Sequence, residues 1–427
     1  MAVGRLALLA LAVCGVPSLA HAQDGLVVQP AVPQGFDRGR NVSVRSRPRP
    51  SYAPLGVHVG GLMMFPQLRT SAGATSNAYL TQRNQVGAAF ATLEPSIRVA
   101  SLWSRHSLRL DAASLLRSYV GQPRRRERTW QINGRGQVEL GRAVAITGEA
   151  SALQGAENQF SGEIEPTVAA LSRFRRVSAA LRGEYTSGRM RTFIMADRAQ
   201  FRFAPIRLAD GAIRGQADRD RAVSRVIGQV EYARTPSVSL FAQLALADTA
   251  FRRTGAMLGS RAIRAIGGVN ADIAGRARGT IAIGYSIRDY RAVGFSAVGG
   301  PVVEGQGELF PTERLTITAA VRRTIEDATS VNTAPQPFWD NRLSLGGDYE
   351  LLGNLILSAS GEYALQTAIR SDRRSVTYRL ATDARYLLSR RATLTGGVSF
   401  TERRSRDFRP DSGAGEGRVE AGLTYHL

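Results

Sequence analysis

Lysine is missing from this 427-residue chain, so its whole basic count of 56 is arginine. A P-loop, which needs a lysine on the phosphates, is thereby excluded. Every cationic site is instead a planar, two-pronged guanidinium suited to carboxylate or phosphate. Cysteine is reduced to Cys14, so no disulfide framework holds the fold. Histidine occurs only at positions 21, 58, 106 and 426, and neither HExxH nor CxxC spacing is present. Beyond residue 22 no apolar run reaches the roughly 20 residues that a membrane-spanning helix requires.

What is present begins with "MAVGRLALLALAVCGVPSLAHAQDG". Arg5, the apolar stretch from Leu6 to Val16, Pro17 and the small-x-small site Ala20-His21-Ala22 read as a secretory signal peptide cleaved after Ala22. A lipoprotein signal at Cys14 is disfavoured because Val13 stands where a small residue is needed. The apolar stretch is too short for a membrane anchor. Export also removes the usual meaning of a formal charge of +21, which is nucleic-acid binding, so no nucleic-acid partner is expected.

Apolar residues make up 43% of the chain but are dispersed with period two. Segments of about ten alternating residues are the signature of a transmembrane β-barrel. Outward sets include Leu108-Leu110-Ala112, Ile132-Gly134-Gly136-Val138, Val177-Ala179-Leu181-Gly183-Tyr185 and Ile281-Ile283-Tyr285-Ile287. Their neighbours are polar and often charged, as a face turned to water would be. Short turns are expected at Ser104-Arg105, Gly141-Arg142, Arg173-Phe174, Thr235-Pro236, Arg276-Ala277, Pro311-Thr312, Gly353-Asn354 and Arg390-Arg391. Longer charged stretches such as "YVGQPRRRER" and "TERRSRDFRPDSGAGEG" lie between those hairpins. The fold class is therefore all-β: a transmembrane antiparallel barrel of about 18 strands (16–18), with short periplasmic turns and long extracellular loops. Region 187–221 reads either as one long extracellular excursion or as holding an extra strand pair near 190–203. Pro66, Pro95 and Pro166 fall inside expected strands, where bulges or strand ends would accommodate them.

Three segments follow: a signal peptide over 1–22, an extended periplasmic leader over 23–60 and the barrel over 61–427. The leader holds Pro30, Pro33, Pro48, Pro50 and Pro54 and reads as a flexible linker. A docking segment or a plug entering the lumen is the alternative. The ending "VEAGLTYHL" reads as the strand that closes the barrel, since a sheet edge cannot stand open in lipid. Its Glu420, Gly422, Tyr425 and Leu427 form the expected signal for the barrel-assembly machinery.

Segments 47–68 (RPRPSYAPLGVHVGGLMMFPQL), 93–114 (LEPSIRVASLWSRHSLRLDAAS) and 128–142 (RTWQINGRGQVELGR) resemble the outer-membrane family known as putative β-barrel porin 2. That family occurs in alphaproteobacteria, frequently in exopolysaccharide gene neighbourhoods. The resemblance implies a signal peptide, a single barrel and a role in envelope transport or polysaccharide export. It supplies no catalytic or binding residues.

The chain is expected to be no enzyme, with no cofactor and no metal: His58, His106 and His426 all fall on the periplasmic side of this topology. The inward-facing candidates are Arg98, Arg109, Arg135, Arg182, Arg322, Arg342, Arg379 and Arg385, with the acids Glu139 and Asp383 on the same face. An arginine turned to lipid at mid-membrane would cost about 2–4 kcal/mol, which favours the inward assignment. Mixed signs point to cross-strand ion pairs bracing the wall, with a track for an anionic polymer as the other reading. Loop arginines, among them Arg124, Arg125, Arg126, Arg128, Arg403, Arg404, Arg406 and Arg409, lie at the level of lipopolysaccharide phosphates. The function expected first is a porin-like channel for small or anionic solutes in the outer membrane. An accessory of an exopolysaccharide secretion system and a plugged structural or adhesive barrel are the alternatives. Expected partners are outer-membrane lipid, lipopolysaccharide and the assembly machinery, and on the export reading an anionic polysaccharide or an export partner.

Overall fold

A chain that alternates apolar and polar residues can satisfy its backbone in lipid only by pairing every strand on both sides. The computed structural model does this with a closed antiparallel barrel. It describes residues 42–157, 172–207, 212–252, 259–327, 337–406 and 413–427; residues 1–22, expected as a signal peptide, residues 23–41 of the expected leader, Pro166 and Arg409 lie outside them.

A short strand β1 (Val57–Val59) leans on β2 (Leu62–Thr75), which opens the barrel. There follow β3 (Ala88–Ser101), β4 (Ser107–Tyr119), β5 (Glu127–Leu140), β6 (Val144–Ala156), β7 (Arg173–Ser187) and β8 (Met190–Phe203). A small antiparallel pair, β9 (Ile206–Arg207) and β10 (Ile213–Arg214), sits in the next long connection. The wall resumes with β11 (Arg221–Thr235), β12 (Val238–Phe251), β13 (Ser260–Ile273), β14 (Ala277–Tyr290) and β15 (Val298–Thr312). It is completed by β16 (Leu315–Asp327), β17 (Pro337–Leu352), β18 (Leu355–Ala368), β19 (Arg374–Leu387), β20 (Ala392–Arg406) and β21 (Ala414–His426). Each wall strand pairs with the next, β8 pairs directly with β11, and β21 returns to β2 from Gln67↔His426 to Thr75↔Arg418. The barrel thus has 18 strands, and its first and last strands meet at the rim that carries the short turns.

The outer face is apolar. Val177, Leu181, Ile194, Leu240, Leu244, Ile281, Ile283, Leu380 and Val398 are all exposed, because lipid rather than protein covers them. Near the short-turn rim the same face carries Tyr185, Tyr232, Tyr349, Tyr386 and Tyr425, an aromatic girdle at the membrane–water boundary. The inner face is not uniformly polar. Phe174, Phe201 and Phe203 cluster there, as do Phe241, Ile266, Ala282 and Val302.

Two expected turns are corrected. The one at Pro311-Thr312 falls two residues later, at Glu313-Arg314, because β15 runs on to Thr312 and β16 starts at Leu315. Arg173 and Phe174 do not reverse the chain: they continue the ladder to β6 as Arg173↔Ala156 and Phe174↔Gly155. Phe174 is held by packing against Phe203, with ring centroids 6.0 Å apart. The reversal comes at Gly188-Arg189, where Gly188 has φ +57°, a backbone conformation that glycine adopts without strain. The stretch 190–203 is accordingly one strand, not a pair. Pro66 and Pro95 are accommodated without bulges. At Pro95 the β3–β4 ladder skips from Leu93↔Leu116 to Ser96↔Ala113 in unchanged register. Pro66 sits one residue beyond the last β2–β21 pair, and its carbonyl accepts the Leu427 N–H at 3.1 Å.

Glycine makes the closing seam possible. A Cβ on Gly73 would stand 2.2 Å from the Val419 carbonyl and 2.6 Å from the Phe90 ring. Phe90 therefore lies flat against the inner wall beneath two arginines.

Candidate functional site

Alternation along each strand puts one set of side chains into the lumen, and that lining is the candidate site. It is rich in arginine–carboxylate pairs, some spanning neighbouring strands and others, such as Arg182–Glu184, Arg322–Glu326 and Arg342–Asp340, running along a single strand.

The densest network braces the seam. Arg69 on β2 reaches Glu94 at 3.1 Å and Glu420 on β21 at 3.0 Å. Arg117 on β4 bonds Glu127 at 3.3 Å and approaches Glu420 at 3.6 Å, while Arg125 joins Glu127 at 3.3 Å. Arg418 pairs with Glu416 at 3.0 Å. Arg117 and Arg418 also lie over the Phe90 ring, 4.9 and 5.1 Å from its centroid. Stacking and ion pairing together fix these guanidinia.

The sequence-derived candidates occupy the same lining. Arg98 and Arg109 both grip Asp111, at 2.8 and 2.7 Å. Arg182 shares Glu184 with Arg191, at 2.6 and 2.8 Å, and stacks 3.9 Å above Phe193. Arg322 meets Glu326 at 2.9 Å and Arg342 meets Asp340 at 2.7 Å. Arg379 approaches Glu362 at 3.5 Å. Arg135 pairs with Glu149 at 3.1 Å, not with Glu139. Glu139 stands near the short-turn rim, where its backbone N–H donates to His106 Nδ1 at 3.3 Å. Asp383 pairs with Arg45 of the leader at 3.5 Å, whereas a partner on the wall was expected. Arg385 shares that corner with Arg45 and Arg49.

Segment 42–56 supplies a feature that counting inward positions along the strands does not reveal. Val44 is fully buried against the wall, and its N–H donates to Thr316 Oγ1 at 3.0 Å. Arg45 bonds Asp348 at 2.6 Å; Arg47 and Arg49 converge on Glu350 at 2.7 and 3.1 Å. Arg49 also donates to the Gly353 carbonyl at 3.1 Å and to the Val44 carbonyl at 2.9 Å. The segment is thus tied to the inner face and lower rim of β16–β19. The signal was present in "VRSRPRP", which offers arginines at every second position to Asp348 and Glu350, spaced by two along β17, and to Asp383 on β19.

Further pairs follow from the same alternation. Arg225 meets Asp197 at 3.0 Å, Arg264 is buried against Glu304, and Arg278 holds Glu308. Beside Arg278 and Glu308 lies a cavity of about 500 Å³, lined among others by Asn270, Thr280, Gln306, Thr318 and Ser344. At the long-loop rim Arg219 is buried against Glu157, with Nη1 to Oε2 at 3.0 Å, and stacks 4.1 Å above Phe203. Among the described residues no group of three or more His, Cys, Asp or Glu is arranged to hold a metal ion. His58, His106 and His426 lie on β1, in the β3–β4 turn and at the end of β21, all at the short-turn rim.

A closed barrel, apolar outside and lined with charge inside, defines an outer-membrane channel protein of the porin type. The chain belongs to the family described as putative beta-barrel porin 2, whose profile matches residues 49–426. No curated protein matches it. Similar solved structures include OpdL of Pseudomonas aeruginosa, at 13% identity and TM-score 0.44, covering 86% of this chain and 99% of that one. OccAB3 of Acinetobacter baumannii is similar at 11% identity and TM-score 0.46, with coverages of 86% and 100%. The siderophore receptor PirA from Acinetobacter baumannii is similar at 8% identity and TM-score 0.44, with coverages of 85% and 80%. At these values the likenesses carry no argument about what passes through this barrel.

Proposed function

We propose that the barrel conducts small polar solutes across the outer membrane, with mild charge selectivity and a periplasmic mouth narrowed by segment 42–56. The observation that carries this reading is a part of the lining that stays open to water. The side chains of Arg135 and Glu149 are 60% and 51% exposed and that of Asp383 is 52% exposed, although all three point away from lipid. Their mixed signs favour polar solutes over a strictly anionic cargo. The signal peptide cleaved after Ala22 and assembly through the C-terminal strand belong to the same reading. The positions of the three histidines support a channel without enzymatic activity.

Planar-bilayer recording tests it. The wild type should conduct with a weak ion preference. Deleting residues 42–56 should raise conductance and shift preference towards cations, because Asp348, Glu350 and Asp383 lose Arg45, Arg47 and Arg49. Conductance seen only after the deletion would favour the plugged barrel, and none from either form would sink the channel reading.

A further inference from the structure

Four arginines stand on the outside of the barrel without an acid beside them among the described residues. Arg173, Arg175, Arg198 and Arg202 occupy outward positions of β7 and β8, on the same face as Val177, Leu181 and Ile194, and all four are exposed. Arg175 and Arg202 are direct cross-strand partners, and Arg198 lies opposite Ala179. Like charges directly opposed across two strands repel. The hydrogen bonds of these guanidinia go to neutral groups: Arg175 Nε to Gln154 Oε1 at 3.2 Å and Arg198 Nη1 to Ser224 Oγ at 3.2 Å. No acidic residue occupies an outward position of β6, β7, β8 or β11. The wall provides no counter-charge on this face.

We propose that the outer face of β7 and β8 binds the phosphorylated headgroup of an outer-leaflet glycolipid, lipopolysaccharide. Arg175 lies two residues along the strand from Val177, on the side towards the long loops. Arg198 lies four residues from Ile194 in the same direction. The guanidinia therefore border the apolar band at the height of a phosphate layer, and the site continues the lipid-facing surface. Guanidinium forks match phosphate oxygens two at a time. One phosphate between Arg175 and Arg202 would turn their repulsion into shared attraction, with Arg198 on the same face for a second phosphate. The inference rests on outer-membrane placement and not on conduction, so a non-conducting barrel leaves it standing.

The test uses the folded full-length barrel in lipid nanodiscs or mild detergent. It is titrated with bisphosphorylated lipid A, with the same lipid A after removal of its phosphates, and with inorganic phosphate. The wild type should bind the bisphosphorylated form about tenfold more tightly than the dephosphorylated one. The triple variant Arg175→Gln, Arg198→Gln, Arg202→Gln should lose that discrimination while keeping heat-modifiable mobility on a gel. Equal binding of both lipid forms by the wild type overturns the proposal. So does a triple variant that still discriminates, and so does displacement of lipid by inorganic phosphate at equal concentration, which would make the site one for a free anion. Should the triple variant not fold, the two lipid forms on the wild type and on single Arg175→Gln and Arg202→Gln variants decide in the same way.

Discussion

Arginines on the inner wall and those on the outer face of β7 and β8 live under opposite rules. Inside, the strands provide an acid for guanidinium after guanidinium: Arg69 has Glu94 and Glu420, Arg117 has Glu127, Arg225 has Asp197. Outside, beside the arginines of β7 and β8, the flanking strands β6 and β11 provide only Gln154 and Ser224 among the described residues. Buried inner pairs are therefore part of the fold's own stability, whereas the outer charge of β7 and β8 is left for the membrane to answer, unlike outer Arg261 and Arg404, which have Asp248 and Glu402 beside them. Position on the wall decides what arginine does here, since a chain without lysine offers arginine at every such site.

The largest expected effect separates the faces at the last strand. Deleting Tyr425–Leu427 removes two outward anchors and leaves the inward Arg69–Glu420 pair intact. If outer-face contacts and the terminal signal govern assembly, the truncated chain should accumulate as a protease-sensitive periplasmic form. Normal heat-modifiable assembly would show that the inner pairs suffice.

A buried inner pair comes next. Arg264 and Glu304 have side chains only 11% and 3% exposed. Glu304→Gln strands a guanidinium in a dry part of the wall, a change that typically costs about 3–5 kcal/mol. The barrel should unfold at a clearly lower temperature when followed by gel mobility or circular dichroism. An unchanged transition would mean that lumen water already screens this pair.

Much of this division was legible in the sequence, because period two assigns faces by counting. Arg98, Arg182 and Arg322 follow from the apolar residues beside them. The turn at Gly188-Arg189 was misplaced because Arg173-Phe174 combines a charged residue with a break in the apolar series, although the Ser-Gly pair in "TSGRM" was the stronger reversal signal. Partner choice was less legible. Arg135 faces Glu149 because β5 and β6 align them as cross-strand neighbours, and register is a property of two strands that neither shows alone. The leader was hardest, since a proline-rich stretch resembles a linker until the acids it meets are placed in space.

A smaller effect probes the outer face without lipid. Arg175→Gln removes one of two directly opposed charges. In detergent free of glycolipid the variant should be slightly more stable, by about 0.2–1 kcal/mol. With bisphosphorylated lipid A present the sign should reverse, because the variant gains less from the ligand. Identical melting of variant and wild type in both conditions would erase the contrast between the faces.

The smallest stability effect should come from Arg135→Gln, which sharpens the comparison from within the lumen. Arg135 and Glu149 form an inner pair by geometry but stand open to water, with side chains 60% and 51% exposed. Exposed ion pairs contribute about 0–1 kcal/mol, since water screens the charges and holding two long side chains together costs entropy. The melting temperature should therefore barely move, in contrast to Glu304→Gln. Ion preference should respond instead, because Glu149 then contributes unbalanced negative charge to the water path and concentrates cations near it. That shift should fade as salt rises and the screening length falls to about 3 Å at 1 M. A marked loss of stability with unchanged selectivity would mean that Arg135 braces the wall as the buried arginines do, and the open part of the lining would then have to be sought elsewhere, beginning with Asp383 and the leader's Arg45.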